Sequence, residues 1–394
     1  MAIARLRDYQ GPALLSYGFR PFFLLGSLYS GLSMMLWMPQ FYGVLELATH
    51  FSPVDWHVHE LFFGYLSAVV TGFLFTAVPN WTGRMPIQGS PLLYLVILWL
   101  AGRLAMTFSA FIGWLPAMAV DLAFLAAIAL VIGSEIMAGK NWRNLKVLLP
   151  LLMLLAANTG FHLEVHFTGT SDVSRRLAMA AAITLIMLIG GRMIPSFTRN
   201  WLVRENPGRL PTPFGHFDLV SLAVGVAALA AWVASPSDSP VGVLMTLAAL
   251  VHLARLSRWA GDRTLRDPLV AVLHVAYLFI PAGFALLALA VFQPDKVPAI
   301  AGVHALGAGA VGCMTLSVMV RATLGHTGQA LKAGIAEKLV FASVIIAALA
   351  RMAAALDLGH IDLMLHIAAF GWFIAFAGFA AVYAPLFLKP RRQQ

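Results

Sequence analysis

The chain alternates between apolar runs of roughly 20 residues, the length at which a helix crosses a bilayer, and short polar loops. The apolar residues within each run are continuous, whereas a strand of a membrane barrel would alternate apolar and polar positions. The runs lie at about residues 22–41, 57–78, 91–112, 116–137, 147–162, 177–195, 216–234, 240–256, 268–292, 298–320, 339–356 and 360–388. A turn is expected at 80–86. The pattern predicts an all-α polytopic membrane protein with about 12 transmembrane helices, and residues 1–394 as a single transmembrane domain with no soluble domain.

The composition indicates that lipid is the solvent of this chain. Hydrophobic residues make up 60% of the sequence and charged residues 11%, against about 25% charged residues in soluble domains. The net charge of +9 does not indicate nucleic-acid binding, because the basic residues lie in short loops, as cytoplasmic anchors of membrane proteins do. We therefore expect a lipid bilayer as partner, and no nucleic acid.

The distribution of basic residues predicts the orientation. With a cytoplasmic N-terminus, alternate loops hold nearly all the arginines and lysines, and the opposite loops keep only Arg175, Arg176 and Lys296. That asymmetry follows the positive-inside rule and predicts that both termini are cytoplasmic. The terminal basic residues on the cytoplasmic side include Arg5, Arg7, Arg391 and Arg392.

A single cysteine, Cys313, narrows the possible chemistry. It excludes an internal disulfide, a cysteine-ligated iron–sulfur cluster and a Cys-x-x-Cys-His haem attachment. A redox centre would therefore use histidine, methionine or oxygen ligands. The absence of a Gly-Lys-Ser/Thr phosphate loop argues against ATP-driven transport.

Histidines are concentrated towards one end of the predicted helices. Of the 12 histidines, the predicted topology places eight near the outer face, namely His50, His57, His59, His162, His166, His304, His360 and His366. Histidine is the commonest metal ligand, so the set predicts a metal centre, although any single one also suits a solvated helix end. His57 and His59 point about 200° apart on a regular helix. Either His57 lies in the N-cap turn, or the two histidines serve different partners.

Carboxylates accompany two of these histidine pairs. His162 and His166 are four residues apart and share a helix face. Glu60 and Glu164 lie beside the pairs, where they would accept hydrogen bonds from metal-bound imidazoles or act as ordinary helix-end carboxylates. Asp121 and Glu60 are the carboxylates nearest to a proton path through the spans.

The tenth apolar run contains a second pattern that bears on cofactor binding. His304 is followed by a stretch rich in glycine and alanine, 305–312, which makes a shallow face for a neighbouring helix or for a flat macrocycle. Arg192 and Arg321 lie near the inner ends of their spans. They would either bind haem propionates or serve as positive-inside anchors.

Five motifs together carry a resemblance to a known family. They are GFRPFF at 18–23, WHVHE at 56–60, TAVPNWTG at 76–83, GRMIP at 191–195 and RATLGHTG at 321–328. In combination they resemble the NnrS family. The likeness extends from the N-terminus to the eleventh span.

The resemblance implies a multi-pass protein of the bacterial inner (cytoplasmic) membrane that holds haem b and copper and acts in denitrification and in relief of nitric oxide stress. The histidines that match family motifs are His57, His59, His162, His274, His304 and His326. We take these as candidate metal ligands and, with Arg192 and Arg321, as candidate cofactor-binding residues. The resemblance does not decide which histidine holds which metal, and no catalytic residue is assigned.

Three functions remain open at this point. The favoured one is a haem and copper protein that binds or turns over nitric oxide, with an unidentified electron donor; as an enzyme it would be an oxidoreductase resembling a nitric oxide reductase. The alternative is a transporter of a metal ion or a nitrogen-oxide species, although midplane polar sites are expected there. The third is an assembly subunit without a cofactor.

Overall fold

The computed structural model describes residues 9–390, and within that range the regular secondary structure is entirely helical. Twelve helices in this described part of the chain are long and apolar enough to cross a membrane. We number them α1 to α12 in chain order: Phe19–Phe41, Pro53–Thr82, Ser90–Thr107, Trp114–Ala138, Trp142–Thr168, Asp172–Glu205, His216–Ala234, Ser239–Ser257, Pro268–Phe292, Ala299–His326, Ile335–Ala355 and Ile361–Leu388. The predicted all-α polytopic fold is confirmed. The orientation stays a prediction, and Arg5, Arg7, Arg391 and Arg392 lie outside the described residues.

Two predicted boundaries are wrong. The turn expected at 80–86 begins only after Thr82, where Gly83 adopts a left-handed conformation and ends α2. Polar residues extend the helix because their side chains bond back onto it: Asn80 donates to the Thr76 carbonyl at 3.0 Å, and Thr82 donates to the Val78 carbonyl at 2.8 Å.

The sixth helix also continues past its expected end. The apolar pattern predicts that this helix stops at Pro195, but α6 passes through the proline and ends at Glu205. Ile194 and Leu202 are fully buried on either side of it. Packing of one face therefore maintains a helix whose other face is already polar.

Two helices contain a widened π-helical segment. In α2 it covers Glu60–Leu66, and in α10 it covers Ala305–Gly312. A histidine, His59 or His304, directly precedes each segment. Such segments shift the helical register locally and occur often at functional sites.

The helices form two compact units. The first contains residues 9–178, Ala322–Gln329 and 376–390, and the second contains Met179–Arg321 and Ala330–Ala375. Many large apolar side chains are exposed, including Tyr94, Leu104, Phe111, Leu130 and Leu250, as expected for helix faces that meet lipid. The single-domain assignment remains a prediction.

Candidate metal centre

The helix that carries the WHVHE motif has a capped N-terminus. The Ser52 hydroxyl accepts a hydrogen bond from the Asp55 N–H at 3.1 Å, and Pro53 occupies the first turn, where no amide donor is required. The Asp55 carboxylate in turn accepts a hydrogen bond from the Ser171 hydroxyl, directly before α6. These contacts fix where α2 begins.

Because α2 is already helical at Pro53, His57 and His59 point to different sides of it. His57 stacks on Trp37 of α1, with ring centroids 4.3 Å apart and ring planes inclined by 27°. His59 turns inward and is fully buried. Of the two open interpretations, the geometry follows the one in which the histidines have different partners.

Three side chains with metal-ligand atoms converge inside the first unit. They are His59 of α2, Asp121 of α4 and His162 of α5, and one donor atom from each lies within 4.8 Å of the others. Asp121 Oδ2 lies 3.1 Å from His59 Nε2 and 3.2 Å from His162 Nε2. All three residues are buried, with His162 3% exposed. Two imidazoles and a carboxylate therefore face one point.

An arginine bridges the carboxylates of this group. Arg103 of α3 donates one hydrogen bond to Glu60 and another to Asp121. Tyr29 of α1 donates a further hydrogen bond to Glu60. With both imidazoles neutral, two carboxylates and one guanidinium leave one net negative charge among apolar side chains. A bound cation, or a proton on an imidazole, would balance it.

His59 is held at both ring nitrogens. Its Nδ1 lies 2.9 Å from Glu60 Oε1, and its Nε2 lies 3.0 Å from Asn158 Oδ1. Asn158 also donates to Asp121 Oδ2 at 2.7 Å. Metal-bound histidines commonly donate their other ring N–H to a carboxylate, and Glu60 is placed for that role when Nε2 binds a metal.

We call this group the His59 cluster, consisting of His59, Glu60, Arg103, Asp121, Asn158 and His162. Aromatic rings surround it, with the centroids of Phe51, Phe63 and Phe161 at 5.0 to 5.3 Å from that of His59. A Cβ atom on Gly64 would lie 2.8 Å from an Arg103 amino group, so the absence of a side chain there makes room for the arginine. The rings keep the polar groups out of water.

A second buried polar group lies in the second unit, and we call Asp218, His252, Arg255 and Tyr277 the Arg255 cluster. Arg255 donates to Asp218 Oδ1 at 2.9 Å and to the Tyr277 hydroxyl at 2.9 Å. His252 Nδ1 lies 2.9 Å from the same hydroxyl. His252 Nε2 has no hydrogen-bond partner among residues 9–390. Here one carboxylate is paired with an arginine and one imidazole faces a tyrosine.

A family profile described as "NnrS protein" matches residues 13–391. The chain belongs to the NnrS family. No curated protein matches it. Membership indicates a multi-pass membrane protein of the nitric oxide response from a family known for metal binding. His59, Asp121 and His162 are a group of residues that could hold a metal ion.

The structure distributes the other histidines selected from the NnrS motifs among separate places. His326 lies in the first unit, where its ring packs against Tyr17 and Phe19 with centroids 5.7 and 5.5 Å away. In the second unit, His274 Nε2 lies 2.9 Å from the Thr198 hydroxyl. The role of these histidines as cofactor or metal ligands stays a prediction.

His304 and the glycine-rich face of α10 lie in the second unit. His304 is half-buried, and its Nδ1 lies 2.8 Å from the Ile300 carbonyl. Cβ atoms on Gly309 and Gly312 would lie 2.4 Å from Phe279 and 2.6 Å from Trp372. Side chains of the same unit therefore fill this face, and it does not fit a macrocycle.

The two arginines proposed as propionate partners lie over aromatic rings of the second unit. The Arg321 guanidinium carbon is 4.0 Å from the ring centre of Phe197, and that of Arg192 is 5.9 Å from the ring centre of Phe214. Arg192 is exposed and Arg321 is half-buried. Their role in cofactor binding remains a prediction.

The carboxylates expected beside the histidine pairs differ in position. Glu60 contacts His59, as described above. Glu164 instead accepts hydrogen bonds from the N–H groups of Val173 and Ser174 at 3.2 and 2.9 Å, and so caps the start of α6. Its function there is to stabilise a helix terminus.

Sequence reasoning did not assign three residues of this site, Tyr29, Arg103 and Asn158. One available signal was the position of Arg103 and Asp121 inside apolar runs, because charged residues within a membrane span normally pair with one another. Tyr29 and Asn158 are ordinary polar residues of helices, and their spacing indicates no partner.

Proposed function

We propose that this chain binds copper at the His59 cluster and that this centre binds or turns over nitric oxide, relieving nitric oxide stress in the bacterial inner membrane. The observation that supports the proposal is the convergence of two imidazole nitrogens and one carboxylate oxygen within 4.8 Å at a buried point. Membership of the NnrS family supports the link to nitric oxide and to metal binding.

The donor set fits copper. Imidazole binds copper well, and carboxylate completes a site that also suits non-haem iron or zinc. His59, His162 and Asp121 would hold the ion, and with both imidazoles neutral the net negative charge of the cluster favours a cation. When bound, copper would supply an open coordination position for a small ligand and one-electron chemistry.

The surrounding residues prepare the site. Glu60 accepts the N–H of His59 and so directs Nε2 towards Asp121. Arg103 holds both carboxylates in place and limits their mutual repulsion. A metal-binding site built in this way is pre-organised, because its ligands need little rearrangement on binding.

Haem b, which the family resemblance also implies, does not fit the glycine- and alanine-rich face after His304, where a flat macrocycle is expected from the sequence. The face after His304 is filled by Phe279 and Trp372. The cavity beside His162 has a volume of 180 Å³, below the roughly 300–1,000 Å³ of pockets for larger ligands. Haem binding by this chain therefore rests on the resemblance alone.

The experiment is to purify the protein in detergent, count iron and copper per chain, and record electron paramagnetic resonance and visible spectra with and without nitric oxide. The proposal expects copper, absent from a His162→Ala variant, whose signal changes with nitric oxide. Consumption of nitric oxide at an electrode would distinguish turnover from binding. Copper-free protein, or a His162→Ala variant with full copper, would contradict the proposal.

A transporter of a metal ion or a nitrogen-oxide species is the second candidate. It gains support from the charged interior of the first unit, because ion pathways use paired ionisable residues within membrane spans. Arg103 and Asp121 form such a pair. Metal uptake into vesicles containing the purified protein would favour transport, and retention of one tightly bound ion without flux would favour the metal centre.

A further inference from the structure

We infer that the cavity beside His162 is the route by which a copper ion reaches the buried His59 cluster, with His50 and His166 as transient ligands at its rim. The inference rests on the proposed function. The exposed fractions of His59 and Asp121 are 0% and 2%. A metal site buried to this extent needs a path by which the ion enters.

The cavity reaches the cluster through one ligand. Of the three donor residues, only His162 belongs to its wall, and this residue keeps 3% of its surface exposed. The volume of 180 Å³ compares with roughly 30 Å³ for a water molecule in the liquid. The cavity therefore has room for an ion with several waters.

The rim of the cavity carries two exposed imidazoles. His166 lies one helical turn from His162 on the same face of α5, so the Cβ atoms of the two residues lie about 5–6 Å apart. The His166 ring stacks on Trp114, with centroids 3.9 Å apart and planes inclined by 15°. The stacking fixes a metal-ligand side chain at the opening.

The loop that carries His50 is held in place by hydrogen bonds. The His50 N–H donates to the Ser109 hydroxyl at 2.9 Å, and the Ala110 N–H donates to the Ala48 carbonyl at 2.9 Å. These bonds tie the loop of His50 to the residues after α3. His50 and His166 thus line the same cavity from different elements.

The wall of the cavity favours copper over harder cations. Met106 lines it together with the histidines, and thioether ligands select Cu(I) while imidazole accepts either oxidation state. No acidic residue lies among the lining residues of this cavity, which is unlike a path for calcium or magnesium. An ion would pass from His50 or His166 to His162 by exchanging one imidazole for the next.

The test measures how fast copper-free protein takes up Cu(I) from its coloured bicinchoninate complex. For His50→Ala and His166→Ala we expect uptake to slow about tenfold, equivalent to a barrier raised by about 1.4 kcal/mol. The final amount of copper per chain stays that of the wild type, because neither residue holds the ion at the end. Ala117→Leu, which fills the cavity wall, should slow uptake in the same way.

His366→Ala is the matched control, since His366 is another exposed histidine whose Nδ1 lies 2.7 Å from a helix carbonyl and which is not part of the cavity wall. It should load at the wild-type rate. Wild-type rates in the two rim variants, or in Ala117→Leu, would overturn the route. So would a lower final copper content in the rim variants, because these residues would then be permanent ligands.

The two proposals fail in different ways. If wild-type protein takes up no copper, or if His162→Ala takes up as much as wild type, the metal centre itself is wrong. If copper binds in a His162-dependent manner but the rim variants load at the wild-type rate, only the access route is wrong.

Discussion

The His59 cluster and the Arg255 cluster use similar residues to different effect. Each contains an arginine paired with a carboxylate and at least one histidine. In the His59 cluster two imidazole nitrogens and a carboxylate oxygen share one point. In the Arg255 cluster the Asp218 carboxylate faces the arginine, and the imidazole of His252 faces Tyr277. Convergence of donor atoms, and not burial of charge, therefore distinguishes a candidate metal site.

The difference extends to the charge balance. Arg255 faces one carboxylate, so the Arg255 cluster is neutral when His252 is neutral. Arg103 faces two, Glu60 and Asp121, so its cluster carries one negative charge when both imidazoles are neutral. A proton on His59 or a bound metal cation would balance that charge, whereas the Arg255 cluster needs neither.

Removal of the bridging arginine should have the largest effect on stability. Arg103→Ala leaves two carboxylates without their cation, and breaking a buried ion pair in this way costs about 3–5 kcal/mol. Arg255→Ala should cost less, because only one carboxylate, Asp218, loses its partner. The midpoint of denaturant-induced unfolding in detergent measures both variants.

Arg84→Ala is the control for this comparison, because Arg84 pairs with Glu135 at the exposed surface and such pairs contribute little to stability. It should unfold like the wild type. An Arg103→Ala protein as stable as Arg84→Ala would show that the bridge is not part of what holds the first unit together.

The next effect concerns metal affinity. Glu60→Gln keeps the shape of the side chain but removes the charge that accepts the His59 N–H, and such changes beside a metal ligand weaken binding about 10- to 100-fold. The equivalent change in the other cluster, Asp218→Asn, should leave copper affinity unaltered. Competition titration with a chelator of known affinity measures the copper affinity of both variants. Equal copper affinities would show that Glu60 does not contribute to the metal site.

The smallest effect on stability among these variants is expected for the substitution of His57. His57→Ala removes the stack on Trp37 and should cost about 1 kcal/mol of stability, with unchanged copper content. The copper content of His59→Ala, two residues away, serves as the comparison. If His57→Ala loses copper while His59→Ala keeps it, the geometric assignment of the two motif histidines is reversed.

The sequence predicts the helices well and the site only in part. Twelve continuous apolar runs suffice to count the spans, because a helix is the one local structure that satisfies their backbone in lipid. The spacing of His57 and His59 shows that they diverge. The polar residues Asn80 and Thr82 indicate a turn in the sequence, but they continue the helix. Their side chains donate hydrogen bonds to helix carbonyls four residues earlier. The partners of His59 could not be identified, since no sequence spacing brings Asp121 or Arg103 against α2.

Copper counted per chain, in the wild type and in three histidine variants purified in parallel, tests the central claim most directly. The account predicts one copper-binding centre that is lost in both His59→Ala and His162→Ala and is kept in His252→Ala, the buried histidine of the Arg255 cluster. Copper that persists in the first two variants, or that disappears only in the third, would contradict it.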